Sequence, residues 1–514
     1  MRARVYILFV GSLCTYGCDT LREISTDFTD KPKVTSISPA DAATQVALTS
    51  KVVLEFSQDM EKASVERNFS VIGQKTVTGT VTWSEGSKRM AFTPSELEPF
   101  VTYKVKILKT AKDKAGKSMA ADFSSSFSTF ATSRASTLTQ QAQKAGNLIY
   151  HAPSSQLLVA YMGNQTSDYT TDARMIIANK GLSTFSEIDL SASGTYPMWI
   201  GAAVPKLAQS ASNVVASYIW INGGVSALNH FFDSALTLTN RYQVTRTSPT
   251  GNAFGPDLIY NQTDFTVLFS DLRFTGFLKV FYARMTASGS MVDLGGTTNQ
   301  KISPGTTSGS NSGESQGAYT ANGFGVVWPE YGYSYGHAEI HFARTDLNGV
   351  KQAFTGSDGN NELKVTSTAA KSLSPSIAFG NQYFICFTSS RGGYERVYLT
   401  RVDTSVGKVT ITDPEPDGSN DDDLLISEIA GVANSCHIIY NADKNEYAMV
   451  WFGTSAEGYG EVFFQRIALD GTKINSNIQV TSGRSTGSPS VAWTGEAYAI
   501  SYVDTASKKV YLAH

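Results

Sequence analysis

The chain is poor in the residues that most often announce an activity. Its 514 residues include only six histidines and four cysteines, and Cys14 and Cys18 lie at the very start. That leaves Cys386 and Cys436 for the body, too few for a disulfide framework. They fall on a second and a first strand of successive repeats and read as two separate buried thiols. Charge of one sign is lacking as well. With 42 basic against 45 acidic residues there is no electrostatic footprint for nucleic acid. Beyond residue 13 no run approaches the ~18 apolar residues of a membrane helix. No phosphate-cradling Gly-x-x-x-x-Gly-Lys-Ser/Thr loop occurs. His337 and His341 are spaced for zinc on a helix, but they fall on a loop and a strand, where that geometry does not apply. The expectation is a chain without a catalytic set. Its 43 glycines and 41% hydrophobic content suit a turn-rich globular β protein instead.

What is present begins with a leader. Arg2 and Arg4 precede an apolar run over residues 5–13, too short to span a bilayer, and small or polar residues follow as far as Gly17-Cys18. This is the pattern of an export signal. Thr15-Tyr16-Gly17-Cys18 also resembles the lipobox of bacterial lipoproteins. Gly17 and Cys18 match it, while Thr15 stands where Leu is usual and Tyr16 is bulky. The resemblance implies a lipid on Cys18 as the sole membrane attachment, with plain secretion the alternative. The polar residues 19–33 then form a tether in the bacterial cell envelope.

Residues 34–132 alternate as seven short strands, among them KVVLEFS, TVTGTVTW and TYKVKIL, which fits an Ig-like sandwich. Their sequence resembles the bacterial Ig-like domain first described in surface-layer proteins. The resemblance rests on Ile37-Ser38-Pro39, Val53-Leu54-Glu55-Phe56-Ser57, Asp59-Met60, Phe92-Thr93-Pro94, Asp113-Lys114-Ala115-Gly116 and Phe127-Ser128-Thr129-Phe130. It implies a spacer or adhesion module with no catalytic residues to carry over.

From residue 134 a pair of strands recurs. NLIYHAPSSQLLVAY at Asn147 returns in degenerate form at Lys206, Asp257, Gly317, Ser376, His437 and Ser490, at intervals of 51 to 61 residues. Four-stranded units at this period predict a propeller, because one such sheet cannot cover both of its own faces. Third strands carry an arginine at an equivalent place: Arg284, Arg344, Arg401 and Arg466. Symmetry spreads these around a ring, so they are expected to pair with carboxylates or carbonyls between blades. The last repeat stops at KVYLAH without a fourth strand, while residues 136–143 (STLTQQAQ) precede the first repeat and follow none. The expectation is that this segment completes the last blade and abolishes two open edges. The fold class is therefore all-β: an Ig-like β-sandwich followed by a seven-bladed β-propeller closed by an N-terminal strand, with six or eight blades as alternatives. The repeats resemble the degenerate propellers of bacterial exported proteins and lack WD40 and sialidase signatures.

Candidate sites lie in loops. Those between second and third strands place Tyr169, Trp220, Phe274, Tyr331, Tyr333, Tyr335, Tyr394 and Tyr459 on one face, with Asp271, Arg273, Glu330 and Arg391 among them. Rigid amphipathic rings beside charges suit a sugar- or protein-binding surface; the alternative is that the rings pack over blade ends. On the opposite face DPEPDGSNDDD at 413–423 imitates the start of a calcium loop through Asp413, Glu415 and Asp417, although Leu424 occupies the place of the bidentate Glu. A solvated acidic loop is preferred to Ca2+ there. The favoured role is a non-catalytic envelope protein binding glycan or protein. The alternatives are a propeller-type polysaccharide hydrolase or lyase, and a structural component of the envelope.

Overall fold

The computed structural model describes residues 31–514 except 48–49, 74–75, 96, 98–100, 130–132, 136–140, 166–169, 191–197, 200–203, 222–224, 245–252, 273–276, 304–309, 333–336, 368–369, 410, 412–422, 428–430, 456–457, 475, 482 and 484–485. The leader with Cys18, and most of the tether, lie outside the described residues. Two compact units make up the chain: Met1–Leu97 with Val101–Thr129, and Glu98–Phe100 with Phe130–His514. No helix among the described residues is long and apolar enough to cross a membrane.

The first unit is a β-sandwich. Strands β1 (Val34–Ser38), β3 (Val52–Phe56), β6 (Arg89–Pro94) and β5 (Gly79–Ser84) form one sheet in that order. The other sheet runs β2 (Ala43–Val46), β8 (Phe123–Thr129), β7 (Thr102–Ile107) and β4 (Phe69–Ile72), with helix α1 (Lys62–Asn68) leading into β4. Side chains alternate across a strand, so Val52, Leu54 and Phe56 of β3 turn inward and meet Tyr103, Val105 and Ile107 of β7. The loop carboxylates are satisfied internally. Asp113 accepts from the Lys117 amide at 2.8 Å and from the Gln58 side chain, and Lys114 stands 3.9 Å from Asp59.

The second unit is a β-propeller whose described residues form seven sheets of four to six strands. Each sheet packs between two others, so its second strand is covered on both faces. That is why Asp264–Asp271 and Tyr383–Ser389 are buried at every position and read as continuous apolar runs rather than alternating ones. The seven inner strands are Lys144–His151, Lys206–Gln209, Ala253–Tyr260, Gln316–Thr320, Ser372–Phe379, Ala433–Asn441 and Thr486–Trp493. Each contacts the next, and the last contacts the first.

Recurrent polar devices hold this circle. Most inner strands carry a bulge, at Gly255, Ser374, Ser435 and Ser488 with φ between +49° and +55°. Just beyond the bulge, a side chain of one inner strand accepts from a backbone amide of the next. Asn147 accepts from Leu207 at 2.7 Å, Asp257 from Gly317 at 2.9 Å, Ser376 from Ile438 at 3.3 Å and His437 from Val491 at 3.3 Å. Ser490 returns to Leu148 at 2.9 Å and completes the circuit. At the outer side, Ser303, Thr366, Ser427 and Thr481 accept from the third-strand amides of Val280, Ile340, Val397 and Val462 at 2.9–3.0 Å. These hydroxyls pin fourth strands that are only two or three residues long in these sheets.

Two of the four arginines, Arg284 and Arg401, tie one sheet to the next as their spacing predicts, while Arg466 pairs within its own sheet. Arg284 donates to the Leu347 carbonyl at 2.9 Å and Arg401 to the Asp470 carbonyl at 2.8 Å, each in a turn of the following sheet. Arg466 forms an ion pair with Glu446, which also accepts from the Tyr498 hydroxyl at 2.6 Å. Gly349 shows why these turns need glycine. At φ +78° it abuts Tyr282 so closely that a Cβ would lie 2.5 Å from the ring.

Two expectations need correction. The strand that pairs with the last one is Ser133–Ala135, three residues upstream of the expected segment, in the register Ala135↔Tyr511, Arg134↔Leu512 and Ser133↔Ala513. Of residues 136–143, 136–140 lie outside the described residues, while the Ala142 amide donates to Lys508 at 2.7 Å. The two cysteines are not separate thiols: Cys386 and Cys436 form a disulfide with their Cα atoms 6.3 Å apart. A second strand faces the inner strand of the following sheet across the packed interface, which brings two residues 50 positions apart within bridging distance.

Candidate functional site

Antiparallel pairing sets which loops share an end of the propeller. Ser389, the end of a second strand, is paired with Ser372 at the start of its inner strand, and Gly453 is paired with Ala433 in the same way. The loops after these second strands therefore lie at the end where the inner strands begin. Tyr394 and Tyr459 sit in two of those loops, in successive sheets, and both are largely exposed.

The charged residues of the same loop set do other work. Arg391 is buried, with its guanidinium stacked 3.6 Å over the Tyr398 ring and paired with Asp423 at 2.9 Å. Asp423 also faces Lys408 at 2.9 Å. Glu330 accepts from Ser312 at 2.6 Å and Trp328 at 3.0 Å, with Lys279 3.4 Å away. Asp271 is buried within a strand paired on both sides. Tyr331 is half-buried, and enclosure pushes its phenol up, with the Glu314 charge acting in the same sense. Its ring packs so closely on Gly313 that a Cβ there would lie 2.9 Å away. Trp220 lies within strand Asn213–Ile221. Tyr169, Arg273, Phe274, Tyr333 and Tyr335 lie outside the described residues, as do Asp413, Glu415 and Asp417 of the acidic loop.

A site that loop reading misses lies at the beginning of the inner strands, where all seven line a cavity of about 260 Å³. Its wall is predominantly polar, with Lys144, Lys206, Glu314, Ser315 and His437 contributing the groups that chemistry could use. A detectable signal exists in Gly255-Pro256-Asp257, Ser374-Pro375-Ser376 and Ser488-Pro489-Ser490, a repeated small residue and proline just ahead of the recurring strand pair. An alignment that begins at Asp257, Ser376 and Ser490 passes over the first two residues of each.

The cavity sets the state of its groups. His437 loses solvation there, and with the Lys206 charge adding to that effect its imidazole is pushed down to about 3. It is neutral at physiological pH. Since its Nδ1 accepts from the Val491 amide, the ring proton resides on Nε2. Burial raises the Asp257 carboxyl, while the Lys206 charge and the amides of Gly317 and Leu258 oppose the shift. Glu314 lies across Gly255, where a Cβ would come within 2.7 Å of its side chain. A wall of this kind can hold a small polar molecule by charge and hydrogen bonds.

No curated protein matches the chain. Among solved structures the chain is similar to an LD-transpeptidase in complex with imipenem, at 18% identity and TM-score 0.15, covering 26% of this chain and about half (49%) of that one. It is similar to the α-L-arabinanase of Penicillium chrysogenum complexed with arabinobiose, at 11% identity and TM-score 0.42, covering 66% and 99% of the two chains. It is also similar to the β-propeller domain of the trilobed protease from Pyrococcus furiosus, at 10% identity and TM-score 0.36, covering 88% and 97%. The family comparison concerns the first unit: residues 29–129 match the bacterial Ig-like domain.

Proposed function

We propose that the chain is an exported bacterial envelope protein whose propeller binds a glycan or protein ligand without transforming it, and whose Ig-like unit serves as a spacer. The observation that carries this reading is the convergence at one end of the propeller. The polar cavity opens there, and exposed Tyr394 and Tyr459 stand on two adjacent sheets. Exposed tyrosines offer large contact area at small entropic cost, which suits recognition rather than packing. Export is supported by the leader and by the Cys386–Cys436 disulfide, since such bonds persist in oxidising compartments. Lipid attachment at Cys18 rests on the resemblance of residues 15–18 to a lipobox.

The test is binding of the mature full chain to a panel of neutral and acidic polysaccharides, compared with the Tyr394→Ala/Tyr459→Ala variant. The double variant is expected to weaken binding at least tenfold, about 1.4 kcal/mol, without changing the unfolding midpoint. Equal binding by both proteins overturns the role of this face. Release of new reducing ends from any polysaccharide favours the hydrolase instead.

A further inference from the structure

We infer that the cavity at the propeller mouth selects an acidic sugar, taking its carboxylate at Lys206 and Lys144 and its hydroxyls at His437, Ser315 and Glu314. This deepens the reading that this end of the propeller binds ligand, and rests on it.

The cationic side of the cavity comes from two adjoining inner strands. Gly146 packs against the Pro205 carbonyl so closely that a Cβ would lie 1.8 Å from it, which brings the strand beginning at Lys144 against the strand beginning at Lys206. Both lysines line the cavity. Neither ammonium has a carboxylate within 4 Å among the described residues, although Lys206 is half-buried. Asp257, on which its charge acts, is turned to the Gly317 amide. Half-buried Lys206, which forms no ion pair among the described residues, and exposed Lys144 on the adjoining strand together attract an anion, because a charge held partly away from water without an ion-pair partner is costly.

The remaining groups suit hydroxyls. The His437 ring must carry its proton on Nε2, and no described residue accepts it. Ser315 is 2% exposed, lines the cavity, and its Oγ has no hydrogen-bond partner among the described residues. Its bonding capacity is left for a ligand group that enters the cavity. Glu314, held across Gly255, presents a carboxylate that accepts from sugar hydroxyls. Donors and acceptors thus share with the cations a cavity of about 260 Å³, which lies at the small end of ligand sites.

The probes are D-glucuronate and methyl glucoside, followed by saturation-transfer NMR and titration calorimetry on the full chain. Glucuronate is expected to bind at least tenfold more tightly, and its advantage should fall as salt is raised. Lys206→Met should remove most of the tenfold preference; because the Lys206 charge also acts on buried Asp257, the unfolding midpoint is measured alongside. Lys144→Met, at an exposed position, provides the same test should the first variant fail to fold. Equal binding of the two sugars, or an undiminished preference in both lysine variants, overturns the inference while leaving the binding face intact. If neither sugar binds and the Tyr394→Ala/Tyr459→Ala variant holds polysaccharide as well as wild type, the broader reading fails too.

Discussion

The hydroxyl of Ser490 accepts a hydrogen bond from the backbone amide of Leu148 at 2.9 Å, across 342 positions of sequence. It joins the last inner strand to the first, and it has the same form as the links between Ser376 and Ile438 or Asn147 and Leu207. Closure of the ring is thus made at two radii. Inner strands exchange side-chain bonds, and farther out the short strand Ser133–Ala135 pairs with Lys509–Ala513.

Ser490→Ala would leave the Leu148 amide buried without an acceptor. Leaving one such donor unmade costs about 1–3 kcal/mol. The expected outcome is a lower denaturant midpoint with an unchanged slope, measured by equilibrium unfolding followed by tryptophan fluorescence. An unchanged midpoint would show that the circuit is not under tension at this link.

The disulfide makes a second prediction. A bridge closing about 50 residues reduces the freedom of the unfolded chain by about 4 kcal/mol in the chain-entropy account. Cys386→Ser/Cys436→Ser, or wild type under reducing agent, should unfold at distinctly lower denaturant than the oxidised protein. Mass spectrometry after alkylation checks the pairing directly. Two free thiols in the exported, oxidised protein would refute it.

Arg391 belongs to the loop set read as a ligand surface, yet its partners are internal. Arg391→Ala would remove a cation from a buried carboxylate and a stacking partner from Tyr398, with Lys408 left to compensate in part. Loss of about 3 kcal/mol is expected. Ligand affinity of the folded fraction should be unchanged. Weaker binding at undiminished stability would restore it to the ligand surface.

Acid should loosen the propeller through two imidazoles. Burial holds His437 at about 3 and His230, bonded to the Tyr218 hydroxyl at 3.1 Å, at about 4. Both lie below the ordinary histidine value, so the unfolded chain binds more protons as pH falls. Stability is full above about pH 6.5 and declines through the window from there to pH 4 and 3. His230→Phe should reduce the steepness of this decline in a series of unfolding curves between pH 7 and 4.

Much of the architecture was legible from residue order. Period and strand composition disclosed the propeller, and alternation disclosed the sandwich, because burial of one or both faces writes a period of two or a continuous apolar run. Arg284 and Arg401 could be assigned as ties between sheets because equivalent positions in a ring cannot converge, whereas the pairing of Arg466 with Glu446 of its own sheet was not legible. The acidic or aromatic character of loops was equally visible, but its use was not. Arg391 and Glu330 look like surface charges until the fold supplies Tyr398, Asp423, Trp328 and Ser312 around them. Short strands carry little pattern, so residue order points to 136–143 while backbone pairing selects Ser133–Ala135.

By itself, then, the order of residues determined an all-β chain with a leader-like start, an Ig-like unit and a repeating second unit, since these depend on local periodicity. Only the tertiary structure decided that Cys386 meets Cys436, that Ser490 meets Leu148, and that Lys144, Lys206, Glu314, Ser315 and His437 share one cavity. Each of these contacts joins different repeats, and distance in space between repeats is set by how the sheets stack around the ring rather than by any pattern within one of them.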